Sequence, residues 1–548
     1  MASPAKPSED PNSPDPMSTP PGREPRRWPW PGRWRQLLGE LAALSIITLI
    51  ISYLSLRLWR IPFGLALQYG GDELAALSHV KGVDETGWWF TNPRLGAPFG
   101  QEHYDFPHGG ESLQVAMVKT LGLFSDAPAA IMNAYLLVTF VLVAISAHLV
   151  LRYLRFEVVV AGVVSVLYTF LPFHFAHLTP HIYRSGYFAA PVAALALLWL
   201  AGYDGGLVTT TGPRFRDVEV RRDRLMVVAV AIALIATTDV VAAAFAPAIA
   251  GMVGVLGVLR QRAWRTLALV MVFGAATVAL VVAVNIPTLL YQEQNGPNSE
   301  TVQRQLPEQE AWALKISRVV LPSPNHPIGF LAEQGRKPTI SPIRSEGGQA
   351  LGLIAVAGLI GAIAATLPLG AGVESFAARE RSRPERGELL RSSGLMMLII
   401  LLLAVPSGLA YLASMIGFEE IRTWNRIVVY LGFFALVSAA IGLERISAWL
   451  RGRGIAPWLV SAFMIGVGVL GIYDQAPGTR FNYESRIAAW NRDADFFAAV
   501  EAELLAPGFT GGDPSESEGE GEAPMVYQLP LVPYPEPESG LLIYDHYR

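Results

Sequence analysis

Long apolar runs dominate the chain, and short polar or basic stretches punctuate them. About 20 consecutive apolar residues cross the hydrocarbon core as a helix. On that rule the pattern predicts spans near 37–58, 128–151, 157–172, 185–202, 225–239, 241–259, 266–288, 349–369, 395–416, 427–444 and 455–474. The run 225–259 is too long for one helix and is split at Thr237-Thr238-Asp239, because an Asp at a tight turn outside the membrane costs less than one in mid-bilayer. The expected fold is an all-α polytopic membrane protein of about eleven transmembrane helices. Three long polar segments interrupt the pattern: 59–127, 289–348 and the tail from 475. In the tail, 484–506 has helical spacing, 514–524 is an acidic Gly-rich linker, and 525–535 reads as a strand and turn. One strand makes no stable sheet, so the tail is expected to be an incomplete α/β unit.

Charge orients this pattern. With the N-terminus inside, the segments assigned inside carry Arg152 and Arg155, Arg214 to Arg224, Arg260 to Arg265, Arg379 to Arg391, and Arg445 to Arg453. That is the positive-inside bias. The long loops then lie outside with all the functional-looking polar material. The domain organisation is a Pro- and Ser-rich disordered cytoplasmic segment 1–36, a bundle 37–474 with outer loops 59–127 and 289–348, and an extracytoplasmic tail 475–548. The basic residues before the first span sit too far from residue 1 for a cleavable signal peptide. Composition agrees: 52% hydrophobic residues, 16% charged and a mean hydropathy of +0.35 suit a multi-pass protein. A net charge of -4 gives no support to nucleic-acid binding, and the absence of cysteine excludes disulfides and thiolate chemistry.

Candidate chemistry concentrates in Tyr69–Ser112, just after the first span. Asp72 and Glu73 open an amphipathic run there. A carboxylate so placed could deprotonate an acceptor hydroxyl; the alternative is a helix N-cap. His103, Asp105 and His108 could line a substrate pocket or hold a divalent metal, although their spacing matches no strict motif. Trp88 could stack on a sugar or belong to an interfacial belt. The connection FHFAHLTPHIYRS brings His174, His177, His181 and Arg184 together, as a phosphate or metal site or as the polar cap of a helix hairpin. Glu293 and Asn295 are pocket candidates in the loop 291–348. In GFEEIRTWNR, Arg422 and Arg426 could bind a lipid-linked phosphate or pair with the neighbouring Glu residues. No GxxxxGK[ST] or GxGxxG signature occurs, so a donor outside the membrane would have to be lipid-borne.

The stretches GDELAALSHVKGVDETGWWFTNPRLGAPFGQEHYDFP, LPFHFAHLTPHIYRSGYFAAPVAALALLWL, NGPNSETVQR, IRTWNRIVVYLGFFAL and VYQLPLVPYPE with YDHYR resemble, over about 60–548, a group of bacterial proteins in the GT-C glycosyltransferase superfamily. The resemblance implies a polyprenyl-phosphate-sugar-dependent transferase of the bacterial cytoplasmic membrane, with its N-terminus inside and its C-terminus outside. It places the catalytic acid in the first outer loop, at Asp72 with Glu73 beside it. Arg184, Arg422 and Arg426 become candidates for the donor phosphate. Trp88, His103, Asp105, His177, His181, Glu293 and Asn295 become candidates for the acceptor and sugar pocket. No cofactor is required beyond a candidate divalent metal. The segment 237–248 departs from the group, which is more aromatic there. A lipid-linked saccharide transporter or flippase is the alternative; it would show charges inside spans and an internal repeat. A sulfatase-like phosphoglycerol transferase would need a metal domain larger than the tail.

Overall fold

The computed structural model describes residues 34–96, 98–105, 110–178, 181–210, 218–298, 306–337, 346–367, 384–477 and 482–504. In chain order the first helices are α1 (Trp34–Ser55), α2 (Asp72–Thr86), α3 (Ser112–Gly122), α4 (Pro128–Tyr153), α5 (Val158–Thr169), α6 (Pro172–Ala176), α7 (Ile182–Ser185) and α8 (Ala189–Leu200). Then come α9 (Arg222–Thr238), α10 (Val240–Gln261), α11 (Trp264–Val284), α12 (Ile286–Asn295), α13 (Leu306–Ala311), α14 (Ile316–Val320), α15 (Gly329–Arg336) and α16 (Leu353–Thr366). The last are α17 (Pro384–Ala404), α18 (Leu409–Ser414), α19 (Val428–Gly452), α20 (Pro457–Gln475) and α21 (Tyr483–Leu504). Two small antiparallel ribbons, β1 (Thr91–Asn92) with β2 (Gln101–Glu102) and β3 (Val208–Thr210) with β4 (Val218–Val220), complete the described elements.

A helix stands at each of the eleven predicted spans, and among the described residues eight segments are long and apolar enough to cross a membrane. These are α1, α4, α5 with α6, α10, α11, α17, α19 with the turn before it, and α20. Eight of the eleven expected spans meet that measure. Helices α8 and α16 are apolar but have 12 and 14 residues, and α9 opens with Arg222, Asp223 and Arg224. Two details concern the ends. Helix α1 begins at Trp34, inside the segment predicted to be disordered. The predicted helix 484–506 is α21, whereas the strand at 525–535 lies outside the described residues.

Helix α19 is the central post. Its Tyr430, Phe433, Phe434 and Leu436 are buried against α5, α8, α16 and α17. Hydrocarbon tails are as apolar as Leu, so close backbone approach rather than burial from water brings such helices together. A Cβ on Gly358 of α16 would lie 2.0 Å from the carbonyl oxygen of Ala435, and one on Gly394 of α17 would lie 2.4 Å from that of Ala362. Helices α1, α11 and α20 are peripheral and expose Ile46, Ile50, Met271, Val272 and Leu470. That is the surface a lipid environment takes up.

At one end of this bundle, the chain leaving α1 folds back beneath α2. Helix α21 fastens this return. Tyr483 Oη donates to the Leu56 carbonyl at 2.7 Å, Arg486 donates to the Leu67 carbonyl, and Trp490 lies 5.1 Å from the ring of Tyr69. Tyr69 Oη also donates to Asp493 Oδ2 at 3.0 Å. Gly70 and Gly71, both at positive φ, then turn the chain into α2.

Candidate functional site

Gly71 occupies the N-cap of α2, and Asp72 is the first helical residue. The capping alternative for Asp72 therefore does not hold. Its carboxylate is positioned by the glycine turn and lies at the helix N-terminus, where negative charge is favoured. Asp72 Oδ2 sits 3.9 Å from Nδ1 of His181, at ion-pair range but beyond a hydrogen bond. On its other ring nitrogen, His181 meets Glu346: Nε2 to Oε1 is 3.4 Å.

Glu346 is the hub of the site. Its Oε1 also lies 3.3 Å from His177 Nε2 and accepts from Arg426 Nη2 at 2.6 Å. Its Oε2 accepts from Arg426 Nε at 2.9 Å and from Asn425 Nδ2 at 3.0 Å. This paired Arg–carboxylate geometry is the strong form of the contact. Burial would raise the Glu346 carboxyl, but the Arg426 hydrogen bonds and the adjacent His177 and His181 rings hold it far below its ordinary range. The backbone explains the placement. Gly348 has φ +81, and a Cβ there would come within 2.8 Å of Ala176 Cβ and 3.0 Å of Phe173 Cα, so glycine lets the loop lie directly on α6.

The histidine cluster divides in two. His174 is fully buried, stacks on Phe140 at 3.6 Å, and bonds through Nδ1 to the Thr169 carbonyl and through Nε2 to Thr139. It belongs to the core. His177 and His181, four residues apart, both face Glu346. His177 Nδ1 is engaged with the Phe173 carbonyl at 2.9 Å and must donate there, so only a proton on Nε2 makes the carboxylate contact attractive. Burial first, and then Arg184 and Arg426, depress the His181 imidazole to about 4. At neutral pH His181 is uncharged. The tautomer that donates Nε2–H to Glu346 leaves the Nδ1 lone pair toward Asp72.

Beside this cluster, Asp239 caps α10 by accepting from the Val241 N–H at 2.9 Å, and its Oδ2 lies 3.8 Å from Arg184 Nε. Arg184, Arg426, Asp239, Tyr187 and Tyr430 line one narrow cavity of about 30 Å³. Four sequence-predicted residues thus converge: Asp72, His177, His181 and Arg426, with Arg184 at the margin. Sequence reasoning missed Glu346, which belongs to no motif. It read Asp239 only as a turn residue, although its N-cap role was the usable signal.

The other candidates lie elsewhere. Arg422 pairs with Glu308 at 2.9 Å. Glu73 is influenced by Arg486 of α21 as well as by Asp72, and burial raises its carboxyl to about 7. Trp88 is partly exposed beside the ribbon. The backbone N–H of His103 donates to the Phe90 carbonyl, and burial lowers its imidazole below the ordinary value. The ring next to Asp105, Tyr104, stacks between Phe90 and Tyr291 at 4.9 and 5.0 Å, which ties that loop to α12. Glu293 and Asn295 accompany Tyr291 on α12, where Asn295 Nδ2 bonds back to its carbonyl. His108 lies outside the described residues. Among the described residues no group of three His, Asp or Glu could hold a metal ion. The wide depression lined by Asp84, Glu85, Arg94 and Lys119 is at the far end of α2 from Asp72, and its Glu85 is paired with Lys81 and Arg94.

No family model and no curated protein matches the chain. Among solved structures, the chain is similar to the apo oligosaccharyltransferase of Archaeoglobus fulgidus, with TM-score 0.42 and 12% identity over 81% of this chain and 56% of that one. At that TM-score the likeness establishes neither a common fold nor a common activity, and the chain spans little more than half of the archaeal protein.

Proposed function

We propose that the chain is a membrane glycosyltransferase that moves a sugar from a polyprenyl-phosphate donor to an acceptor on the outer face of a bacterial cytoplasmic membrane. The observation that carries this reading is the meeting of Asp72 with a His–Arg cluster at one end of an apolar helical bundle. A proton acceptor and a set of cationic donors are the two things displacement at a glycosyl phosphate needs. The resemblance of the Asp72 and His177–Arg184 stretches to GT-C sequences points the same way.

Asp72 takes the proton of the acceptor hydroxyl, assisted by the Nδ1 lone pair of His181. The acceptor oxygen forms a bond to the anomeric carbon as the bond from that carbon to the phosphate oxygen breaks. The electron pair leaves on polyprenyl phosphate, whose charge Arg426 and Arg184 stabilise. Asp72→Asn should lower transfer by about 10²–10⁴-fold with expression intact; retained transfer would sink the assignment.

The transporter reading would gain from charges within spans. Glu40, His148 and Arg152 are such charges, with Glu40 Oε2 at 3.1 Å from His148 Nε2 and 3.0 Å from Arg152 Nε. They sit at the opposite end of α1 from Asp72 and pair with one another. They join α1 to α4, which favours the transferase.

A further inference from the structure

The donors around Glu346 outnumber what a carboxylate uses. Four side chains address its two oxygens. Beside them, the Nε of Arg184 and the Oη of Tyr430 are out of solvent with no hydrogen-bond partner, and Tyr430 is wholly buried. Arg184, Arg426 and Tyr430 line the same cavity. The two guanidinium groups act unfavourably on each other. Assembling such groups around a two-oxygen anion is costly unless a larger anion replaces it. The cavity of about 30 Å³ has room for about two waters and no more. An added anion reaches the Arg426 guanidinium face only where the Glu346 carboxylate, which now occupies its Nε and Nη2, gives it up.

We infer that the Glu346 carboxylate is an internal surrogate for a phosphate group. It fills, at rest, a site for a phosphate monoester or diester built by Arg426, Asn425, His177 and His181 with Arg184 and Tyr430 at its edge, and it leaves when that phosphate binds. The inference deepens the proposed function and rests on it only for the phosphate's carrier, the polyprenyl donor. A three- or four-oxygen anion satisfies the Glu346 donors and also reaches Tyr430 Oη and Arg184 Nε, which now has only the Asp239 carboxylate of the same cavity at 3.8 Å. The affinity seen from outside is then the intrinsic affinity multiplied by the fraction of molecules in which Glu346 has withdrawn.

The test measures binding of labelled polyprenyl monophosphate, of inorganic phosphate and of neutral polyprenol to the full chain in lipid nanodiscs. Wild type, Glu346→Gln and Arg426→Gln are compared. Glu346→Gln keeps the size and removes the competing charge. It should bind the phosphate probes about tenfold tighter or more, as expected if the resting site is nine-tenths occupied by Glu346, while polyprenol is unchanged and Arg426→Gln loses phosphate binding. If tightening is seen with inorganic phosphate but polyprenyl phosphate binds to neither protein, the surrogate stands and the lipid-donor reading falls. Equal or weaker phosphate binding by Glu346→Gln, or no phosphate binding by any form, overturns the inference. Should Glu346→Gln fail to fold, Glu346→Asp takes its place. Its shorter carboxylate reaches Arg426 less well and should also bind phosphate more tightly than wild type; no gain overturns the inference.

Discussion

At the scale of single residues, the site separates histidines that look alike in sequence. His174 is held on both nitrogens inside the core, so His174→Leu should lower Tm, by the ~1–3 kcal/mol of leaving buried Thr groups unpaired, while the folded fraction keeps its transfer activity. His181→Ala should do the reverse, with transfer down about 10²-fold and Tm near wild type; paired melting and transfer assays separate the two. The i, i+4 spacing of His177 and His181 was legible as a shared direction. That His174 turns inward was not, because it depends on Phe140 and Thr139 from a separate helix. Glu346 was illegible for the same reason. Its partners lie 165 to 169 residues before it and 79 to 80 after it, and a lone Glu before a Gly-Gly pair carries no local signal. Gly348 is its local support: Gly348→Val should push Glu346 off the cluster and raise apparent phosphate affinity, read in the same binding assay. Glu73 supplies a pH signature. Its carboxyl lies at about 7 in the folded chain against 4.5 when free, so the folded state holds the extra proton between those values. Stability from this group is full below about 4.5, falls as pH rises through 7 and is flat above. Melting curves of Glu73→Gln should lose that decline.

At the scale of elements, the placement of Asp72 depends on a helix more than 400 residues away. Helix α21 grips Leu56, Leu67 and Tyr69 on the strand of chain that delivers Gly70, Gly71 and Asp72. A misplacement near 1 Å can cost about 100-fold in rate. Trp490→Ala combined with Asp493→Asn should therefore lower transfer by ~10- to 100-fold and raise amide exchange over Leu67–Glu73, leaving exchange in α19 unchanged. Amphipathic spacing made α21 and α2 legible in the sequence. Their mutual contact was not, because helical periodicity states which face is apolar and not what covers it. The same limit applies to Arg422, whose neighbours Glu419 and Glu420 were the visible partners while Glu308 on α13 is the real one.

At the scale of the whole molecule, hydropathy located every helix of the bundle, since apolar runs of span length admit few alternatives. Three of its expected crossings, α8, α9 and α16, are helices of 12, 17 and 14 residues, shorter than a full span. The peripheral helices α1, α11 and α20 show apolar faces outward, and the buried charges Glu40 with Arg152 and Arg386 with Glu444 form closed pairs apart from the Asp72 site. At the Asp72 end a part-exposed carboxylate meets the half-buried His181 and Arg184, with the buried His177 and Arg426 behind them. The most direct test of this account incubates the protein in lipid with a panel of radiolabelled polyprenyl-phosphate sugars, with wild type and Asp72→Asn side by side. The account predicts release of polyprenyl phosphate from one donor by wild type and its loss in Asp72→Asn. Binding or translocation of a lipid-linked saccharide with no cleavage by either protein would contradict it and establish a carrier instead.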